Sequence, residues 1–472
     1  MCRQYFADET VADPNFTFVP VILGADNPQC QIPPVQKIVA TFTLVMNLLI
    51  GLLSAIIAPK LGHMSDRFGR KRWMGLSSCG GIVAEIITIF AAKYPDTVDY
   101  RWILLGAVCD GLTGSFTAGS LLSHSYASDC TPPSKRGVAI GYLHACLFTG
   151  LAFGPLIAAE LIKRTGSLIS IFYVVLGCHI VFVLFLSFVI PESLSKRRQL
   201  AAREKHAKEL DGHAHLPWYT SLRYKNPFAP LKILYPTGAG TSFTLRRNLL
   251  AMAVVDTVLL GGAFGAATVI ILYGGYMFKW DTVDNSRFVS TVSMVRAIVL
   301  LGIFPVLNYF LRVRPARRRQ AERTSPPPTE KNEGCDEVDI WLVRSALMSD
   351  VIGVTGYIFV RSPALFYVSG VITAFGGLGS ATIQAALTKH VPAERVGQLL
   401  GAVGLLHALS RVLAPMAFNG LYYMTIETFP QAIFVLLGSL FVVSLVASFL
   451  IKPHGEFYFT LYEAHSNWRK NS

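Results

Sequence analysis

Four carboxylates, three arginines and four histidines stand inside runs that are otherwise apolar: Glu85, Asp110, Asp256, Asp350, Arg296, Arg344, Arg411, His124, His144, His179 and His407. Asp110 leads this set. With Thr113 and Thr117 it forms the pattern D-x-x-T-x-x-x-T, which on a continuous helix places one carboxylate and two hydroxyls on one face. A carboxylate in hydrocarbon is costly and faces either a water-filled cavity or a bonding partner. Asp110 is therefore read as a group that can take up and release a proton, against the alternative of a purely structural hydrogen bond. His407 and Arg411 are one helical turn apart on a second face. Asp256, Arg296 and Arg411 fit a central cavity and an interhelical pair equally well. Glu85, Arg344 and Asp350 read as interhelical pairs, and His124, His144 and His179 as packed or hydrogen-bonded groups. No G-x-x-x-x-G-K-[ST], H-E-x-x-H or G-x-S-x-G occurs, which leaves nucleotide-driven transport and membrane hydrolysis without support. The eight cysteines include no C-x-x-C pair, so neither a metal nor a redox cofactor is expected.

The elements that carry these groups are membrane spans. Hydrophobic residues make up 52% of the 472-residue chain and charged residues only 15%, against about 25% charged in soluble domains. Eleven apolar runs are long enough to cross a bilayer: 38–58, 73–92, 102–127, 138–162, 168–190, 249–278, 288–311, 340–360, 364–388, 397–426 and 430–451. The net charge of +13 does not indicate nucleic acid. Of the 42 Lys and Arg, 30 fall in connections on one side of these runs, nine on the other and three within them, the asymmetry that marks a cytosolic side. The organisation expected is an external segment 1–36, a bundle of five spans over 37–190, a cytosolic linker 191–248 with a short helix at Lys196–Leu210, a bundle of six spans over 249–452 with a cytosolic loop 312–339, and a cytosolic tail 453–472.

Between the first two runs lies Gly62-His-Met-Ser-Asp66-Arg67-Phe-Gly69-Arg70-Lys71-Arg72. Gly62 and Gly69 suit a tight turn, and Asp66 is the lone acid among five basic residues, placed to pair with an arginine or a neighbouring helix N-terminus. The spacing G-x-x-x-D-R-x-G-R-[KR] resembles the loop signature of the major facilitator superfamily of transporters. The resemblance implies an all-α integral membrane fold of two pseudo-symmetric six-helix bundles, with Gly62, Asp66, Arg67, Gly69, Arg70 and Lys71 as a loop that switches between access states. In the family this signature follows the second helix. The run 38–58 is then the family's second helix, 11 of 12 spans are present, the N-terminus is external, and an upstream start is expected to supply the first span.

The halves also repeat: Gly137, Gly141 and Pro155 recur as Gly397, Gly401 and Pro415, all at an offset of 260. Residues Gly150-Leu-Ala-Phe-Gly154-Pro155 resemble the G-x-x-x-G-P core of a proton-coupled antiporter signature, which implies close helix packing and a hinge at Pro155, as at Pro415. The branch most similar holds tetracycline:proton antiporters and the proton-coupled folate transporter. Its members imply a secondary active transporter, monomeric, working on a small molecule and protons in the lipid bilayer of the plasma or vacuolar membrane, without nucleic acid, cofactor or metal. An uncoupled facilitator and a non-transporting receptor are the alternatives. The external segment holds the sequon Asn15-Phe-Thr17 with Cys2 and Cys30; it reads either as a glycosylated, disulfide-closed segment or as an unused sequon with two free thiols.

Overall fold

The computed structural model describes residues 2, 3, 5, 6, 9, 30, 32–95, 97–211, 228–237, 241–321, 332 and 334–453. The first half comprises α1 (Pro33–Phe68), α2 (Arg70–Lys93), α3 (Trp102–Leu112), α4 (Ser115–Cys130), α5 (Arg136–Thr165) and α6 (Ile169–Phe188). A linker helix α7 (Lys196–Asp211) follows. The second half comprises α8 (Phe243–Phe278), α9 (Thr282–Arg319), α10 (Glu337–Phe359), α11 (Pro363–Ala374), α12 (Gly377–Lys389), α13 (Val396–Thr425) and α14 (Ala432–Phe449). Among the described residues there is no strand.

Local chemistry sets the helix ends. Prolines open α1, where a missing N–H costs nothing. Ser242 Oγ and Asp281 Oδ1 accept from Leu245 N (3.1 Å) and Asp284 N (2.7 Å) to cap α8 and α9. Asp336 and Asp339 form a capping box on α10. Within α9, π-helical turns at Val299–Ile303 and Tyr309–Val313 flank Pro305, whose missing N–H breaks the hydrogen-bond register.

Among the described residues ten helical segments are long and apolar enough to cross a membrane, with Pro363–Lys389 taken as one. The eleventh expected span, 102–127, is instead two helices, because Gly114 (φ +86°) and Ser115 (φ +52°) leave the helical conformation. That break separates Asp110 and Thr113 from Thr117, so the single face read from their spacing does not form. The second half breaks at a matching place, between α11 and α12 at Phe375–Gly376. At both breaks the last carbonyl accepts a backbone N–H three residues on and a hydroxyl besides: Thr113 Oγ1 donates to Asp110 O (3.0 Å), and Ser349 Oγ to Ile372 O (2.7 Å). Two boundaries also need correction. Helix α9 continues through Arg319, so the first part of the expected loop 312–339 is helical. Helix α1 continues to Phe68, so most of the signature segment is helix rather than loop.

The halves meet along two seams. Helix α13 lies against α1, and α5 lies against α9 and α12. The repeated glycines make both approaches possible. A Cβ at Gly401 would stand 3.0 Å from Pro59 Cα, and one at Gly62 would overlap the carbonyl of Gly397. On the other seam a Cβ at Gly141 would stand 2.8 Å from Phe304 Cδ1. The sequence repeat is thus a packing repeat, closing each half onto the other at the end rich in Lys and Arg. At the opposite end of the second half, Tyr273, Phe288, Tyr357, Phe366 and Phe434 form one aromatic cluster.

Candidate functional site

The signature segment sits where α1 turns into α2. Gly69 (φ +95°) makes the whole turn, a conformation that disfavours any side chain. Asp66 and Arg70 pair across it at 2.6 Å, and Arg70 Nε donates to Asp129 Oδ2 at the end of α4 (3.0 Å). All three side chains are buried. A buried ion pair holds only if its remaining lone pairs are satisfied, and Asp66 finds that partner on the other half of the molecule. Its Oδ2 accepts from the backbone N–H of Gln398 (3.0 Å), in the first turn of α13, where the helix dipole favours an anion. Of the two partners expected for Asp66, an arginine and a helix N-terminus, the structure supplies both. Glu192, just after α6, does the same for α2: Arg70 N and Lys71 N donate to its carboxylate at 2.8 and 3.2 Å. Lys71 Nζ donates to Ser187 O (2.9 Å). The carbonyl of Arg67 accepts from Arg203 Nε of α7 (2.9 Å), so the linker helix rests on the end of α1.

The second half carries a counterpart with the charges reversed. Arg312 on α9 reaches Asp336 and Asp339, each at 2.5 Å, and Lys389 at the end of α12 reaches Asp339 at 2.6 Å. Burial by itself would push the Asp336 carboxyl up. The hydrogen bond from Arg312, the charges of Lys389 and Arg312 and the Asp339 N–H outweigh it and hold that carboxyl well below its usual range. From the first half, Arg136 at the start of α5 crosses to this cluster, where Nη1 donates to Thr388 Oγ1 (3.1 Å) and Asn332 Oδ1 (3.2 Å). Each half therefore holds the other at the basic end through a side chain at a helix terminus.

Deeper in the molecule, His407 Nε2 and Asp256 Oδ2 are 2.7 Å apart, joining α13 to α8, with Asp256 1% exposed. One turn along α13, Arg411 crosses to the first half. Its Nη1 donates to Thr117 Oγ1 (3.3 Å), and the guanidinium lies 5.4 and 5.3 Å from the ring centres of Phe116 and Phe264. Asp110 lines a cavity of about 910 Å³ between α1, α2, the α3–α4 pair and α6, together with Glu85, His179, Ser77 and Phe182. Thr113 is turned away onto backbone carbonyls. Arg296 stands apart, 5.2 Å from the Phe148 ring centre of α5 and 3.5 Å from Thr373 O. Asp350 lies against Gly376, at the start of α12.

The structure thus joins Asp256 to His407 and Arg411 to Thr117, while Asp110 lies in the cavity of the first half and Arg296 on the other seam. Two groups read as packing come to that seam: His144 Nδ1 is 3.2 Å from Ser380 Oγ of α12, and the His144 and His124 rings are 5.2 Å apart. Glu192 and Arg136 also lay outside the sequence reading of site residues. Nothing lies within 4 Å of where a Cβ would stand at Gly150 or Gly154, among the described residues, so the close packing expected there is not made. Pro155 and Pro415 are both inside continuous helices, and Asn419 Nδ2 donates to Pro415 O (2.7 Å). Cys2 and Cys30 are joined by a disulfide. Asn15 lies outside the described residues.

Comparison with known proteins accords with this architecture. The family model described as Major Facilitator Superfamily matches residues 10–321. The MFS-type transporter avaJ of Aspergillus versicolor is 32% identical over 418 residues, 88% of this chain and 78% of that protein. The proton-coupled folate transporter of Rattus norvegicus is 24% identical over 90% of this chain and 82% of its own length. The solved structure of the human organic anion transporter MFSD10 (TETRAN) superposes with a TM-score of 0.64 at 15% identity, covering 96% of this chain and 89% of that one. The apolar helices, the duplicated halves and the signature at the α1–α2 turn are those of a multi-pass membrane transporter, and the chain belongs to the Major Facilitator Superfamily.

Proposed function

We propose that this chain is a proton-driven secondary transporter of a small molecule, acting by alternating access in the plasma or vacuolar membrane. The observation that carries the reading is the Asp256–His407 pair. It is a buried carboxylate and imidazole at 2.7 Å between two spans, a cost that an apolar contact would not incur and that a proton-binding step explains. Asp110 is the second protonatable group, open to the cavity in which the substrate would sit, with Arg411 of the other half within electrostatic reach. The Asp66 and Arg136 contacts hold the basic, cytosolic end shut in the state observed, so access would be from the opposite side. Binding a proton shifts the balance only if the two access states hold it with different affinity. A pair that joins α8 to α13 beside the seam is suited to that. The relative in Rattus norvegicus that is named as proton-coupled supports the coupling and leaves the substrate open.

The test begins with metabolite profiles of cells with and without the chain, which nominate a substrate. Uptake of that compound is then followed in proteoliposomes with and without an imposed pH gradient. Accumulation that a protonophore collapses, and that Asp256→Asn abolishes, is the expected result. Equilibration without accumulation would identify a facilitator, and absence of transport a receptor; either would overturn the proposal.

A further inference from the structure

The cavity of the first half has a one-sided wall. It measures about 910 Å³, within the range of pockets that take a small organic molecule. Two carboxylates line it, Glu85 of α2 and Asp110 of α3, and among the described residues no lysine or arginine does. Contacts between these antiparallel helices set the spacing of the two acids. A Cβ at Gly106 would lie 3.1 Å from Ala84 Cα, and one at Gly80 would overlap Thr113 Oγ1. Glu85 is therefore level with Leu105, and Asp110 stands five residues further, about 7.5 Å along the axis. Neither carboxylate joins an ion pair among the described residues, and Glu85 Oε2 is buried there without a hydrogen-bond partner. The interhelical pair expected for Glu85 is thus not formed. Arg411 of the other half meets this bundle at Thr117 and Phe116 and is not part of the wall. It can balance at most one of the two acids, so a negative charge is left for the occupant to meet. The imidazole on the wall, His179, is a seated ring: its Nδ1 is 3.0 Å from Ser78 Oγ, and a Cβ at Gly81 would stand 2.7 Å from its Cε1. Phe42, Phe116, Phe172 and Phe182 add aromatic faces.

We infer that this cavity binds an organic monocation, an ammonium-type charge on an apolar or aromatic body, held by Glu85 and Asp110. The inference rests on the transport reading above and adds the substrate class to it. A carboxylate at membrane depth needs water or a partner, and two on one wall repel each other unless positive charge comes between them. A monocation supplies that charge. Its body would lie against the phenylalanine rings, whose faces attract a cation and whose area favours an apolar group. An anion would meet two like charges and no basic side chain on the wall, and a neutral molecule would leave the acids unpaired. A bare metal ion is disfavoured too, because among the described residues no three His, Cys, Asp or Glu side chains are grouped as such an ion requires. Glu85 is the specificity residue in this arrangement. With Asp110 alone, Arg411 could balance the wall; Glu85 is what leaves a place for one more positive charge.

The experiment measures binding rather than transport, on the full chain in lipid nanodiscs at neutral pH. The probe is radiolabelled tetraphenylphosphonium, an organic monocation, and the control is tetraphenylborate, an anion of the same shape. Retention by empty nanodiscs is subtracted from both. Saturable binding of the phosphonium, which the borate neither shows nor displaces, is the expected result. Glu85→Gln and Asp110→Asn should each raise Kd by about 10-fold or more, as loss of a nearby charge in a site of low dielectric requires. Glu85→Asp keeps the charge and should keep most of the binding, which separates loss of charge from loss of fold. Glu160→Gln removes an exposed carboxylate paired with Arg164 on α5 and should leave Kd unchanged. No saturable binding, equal binding of the borate, or one Kd shared by the unmodified, Glu85→Gln and Asp110→Asn proteins would overturn the inference. The transport reading is decided separately. Proton-driven accumulation of a neutral or anionic compound, without phosphonium binding, would remove the cation site alone. Charge-dependent phosphonium binding by a chain that accumulates nothing would remove the transport reading and keep the site.

Discussion

Gly401→Ala is the sharpest probe of the seam between the halves. The added Cβ would stand 3.0 Å from Pro59 Cα, 3.2 Å from Pro59 O and 3.5 Å from Ala58 O. Ordinary carbon contacts lie near 3.5–4.0 Å, and all three neighbours here are backbone atoms of α1, which cannot rotate away. Helices α1 and α13 must therefore separate by several tenths of an ångström at the basic end. Inserting one methyl into a packed contact of this kind costs about 1–3 kcal/mol. That cost falls only on the state in which α1 and α13 touch, so it becomes a shift of about 5- to 150-fold toward the state open at the basic end. The distance distribution between spin labels at exposed Arg72 and Glu394, one on each half at the basic end, reads the shift directly by double electron–electron resonance. Gly420→Ala is the control, because nothing lies within 4 Å of its Cβ position among the described residues. A Gly401→Ala distribution identical to that of the unmodified protein, with an unchanged melting temperature, would show that this contact does not hold the resting state.

Other outcomes follow from the ion pairs. Asp66→Asn keeps an oxygen for Gln398 N but loses the charge facing Arg70. It should insert and fold normally while turnover slows, since Asp129 still pairs with Arg70; unchanged turnover at normal expression would leave the segment a topological signal only. Asp110→Asn should abolish accumulation driven by a pH gradient while retaining some downhill exchange; full accumulation would remove Asp110 from the coupling machinery. The Asp336 carboxyl is held below its unfolded value, so its contribution to stability is complete above about pH 4 and is lost as pH falls toward the folded value. Asp336→Asn should accordingly melt lower than the unmodified protein at pH 7, with the gap narrowing below about pH 4; a gap independent of pH would refute the pairing with Arg312.

The sequence carried the fold well where its signals are local. Nine of the eleven apolar runs are continuous helices, and the linker helix runs Lys196–Asp211 against the expected Lys196–Leu210. The turn signature also told which residue types Asp66 would seek. What it could not tell was where those partners lie, since Gln398 is 332 residues away. The helix break at Gly114 was hidden because glycine in an apolar run is also a common packing residue. His144 was hidden for a related reason. An isolated imidazole in one span shows its partner, here Ser380, only once the span opposite is known, and nothing in a single sequence says that α5 meets α12. The repeated glycines were visible as a pattern, but their purpose, closing one half upon the other, appears only when Pro59 and Phe304 are seen against them.

The break between α3 and α4 bears on how the chain enters the membrane during synthesis. Neither α3, with 11 residues, nor α4, with 16, is long enough to span the bilayer alone, because a span needs about 20. The segment must leave the translocation channel as one unit, with a left-handed turn already inside it. Carbonyls freed at that turn cannot be left to lipid. Thr113 Oγ1 lies within 3.4 Å of Cys109 O, Asp110 O and also Ser77 O of α2, and a side chain at Gly80 would fill the space that Thr113 occupies. The break is therefore best housed beside α2. Helix α2 is thus the partner that keeps this turn away from lipid, and the α3–α4 segment settles in the membrane only beside it.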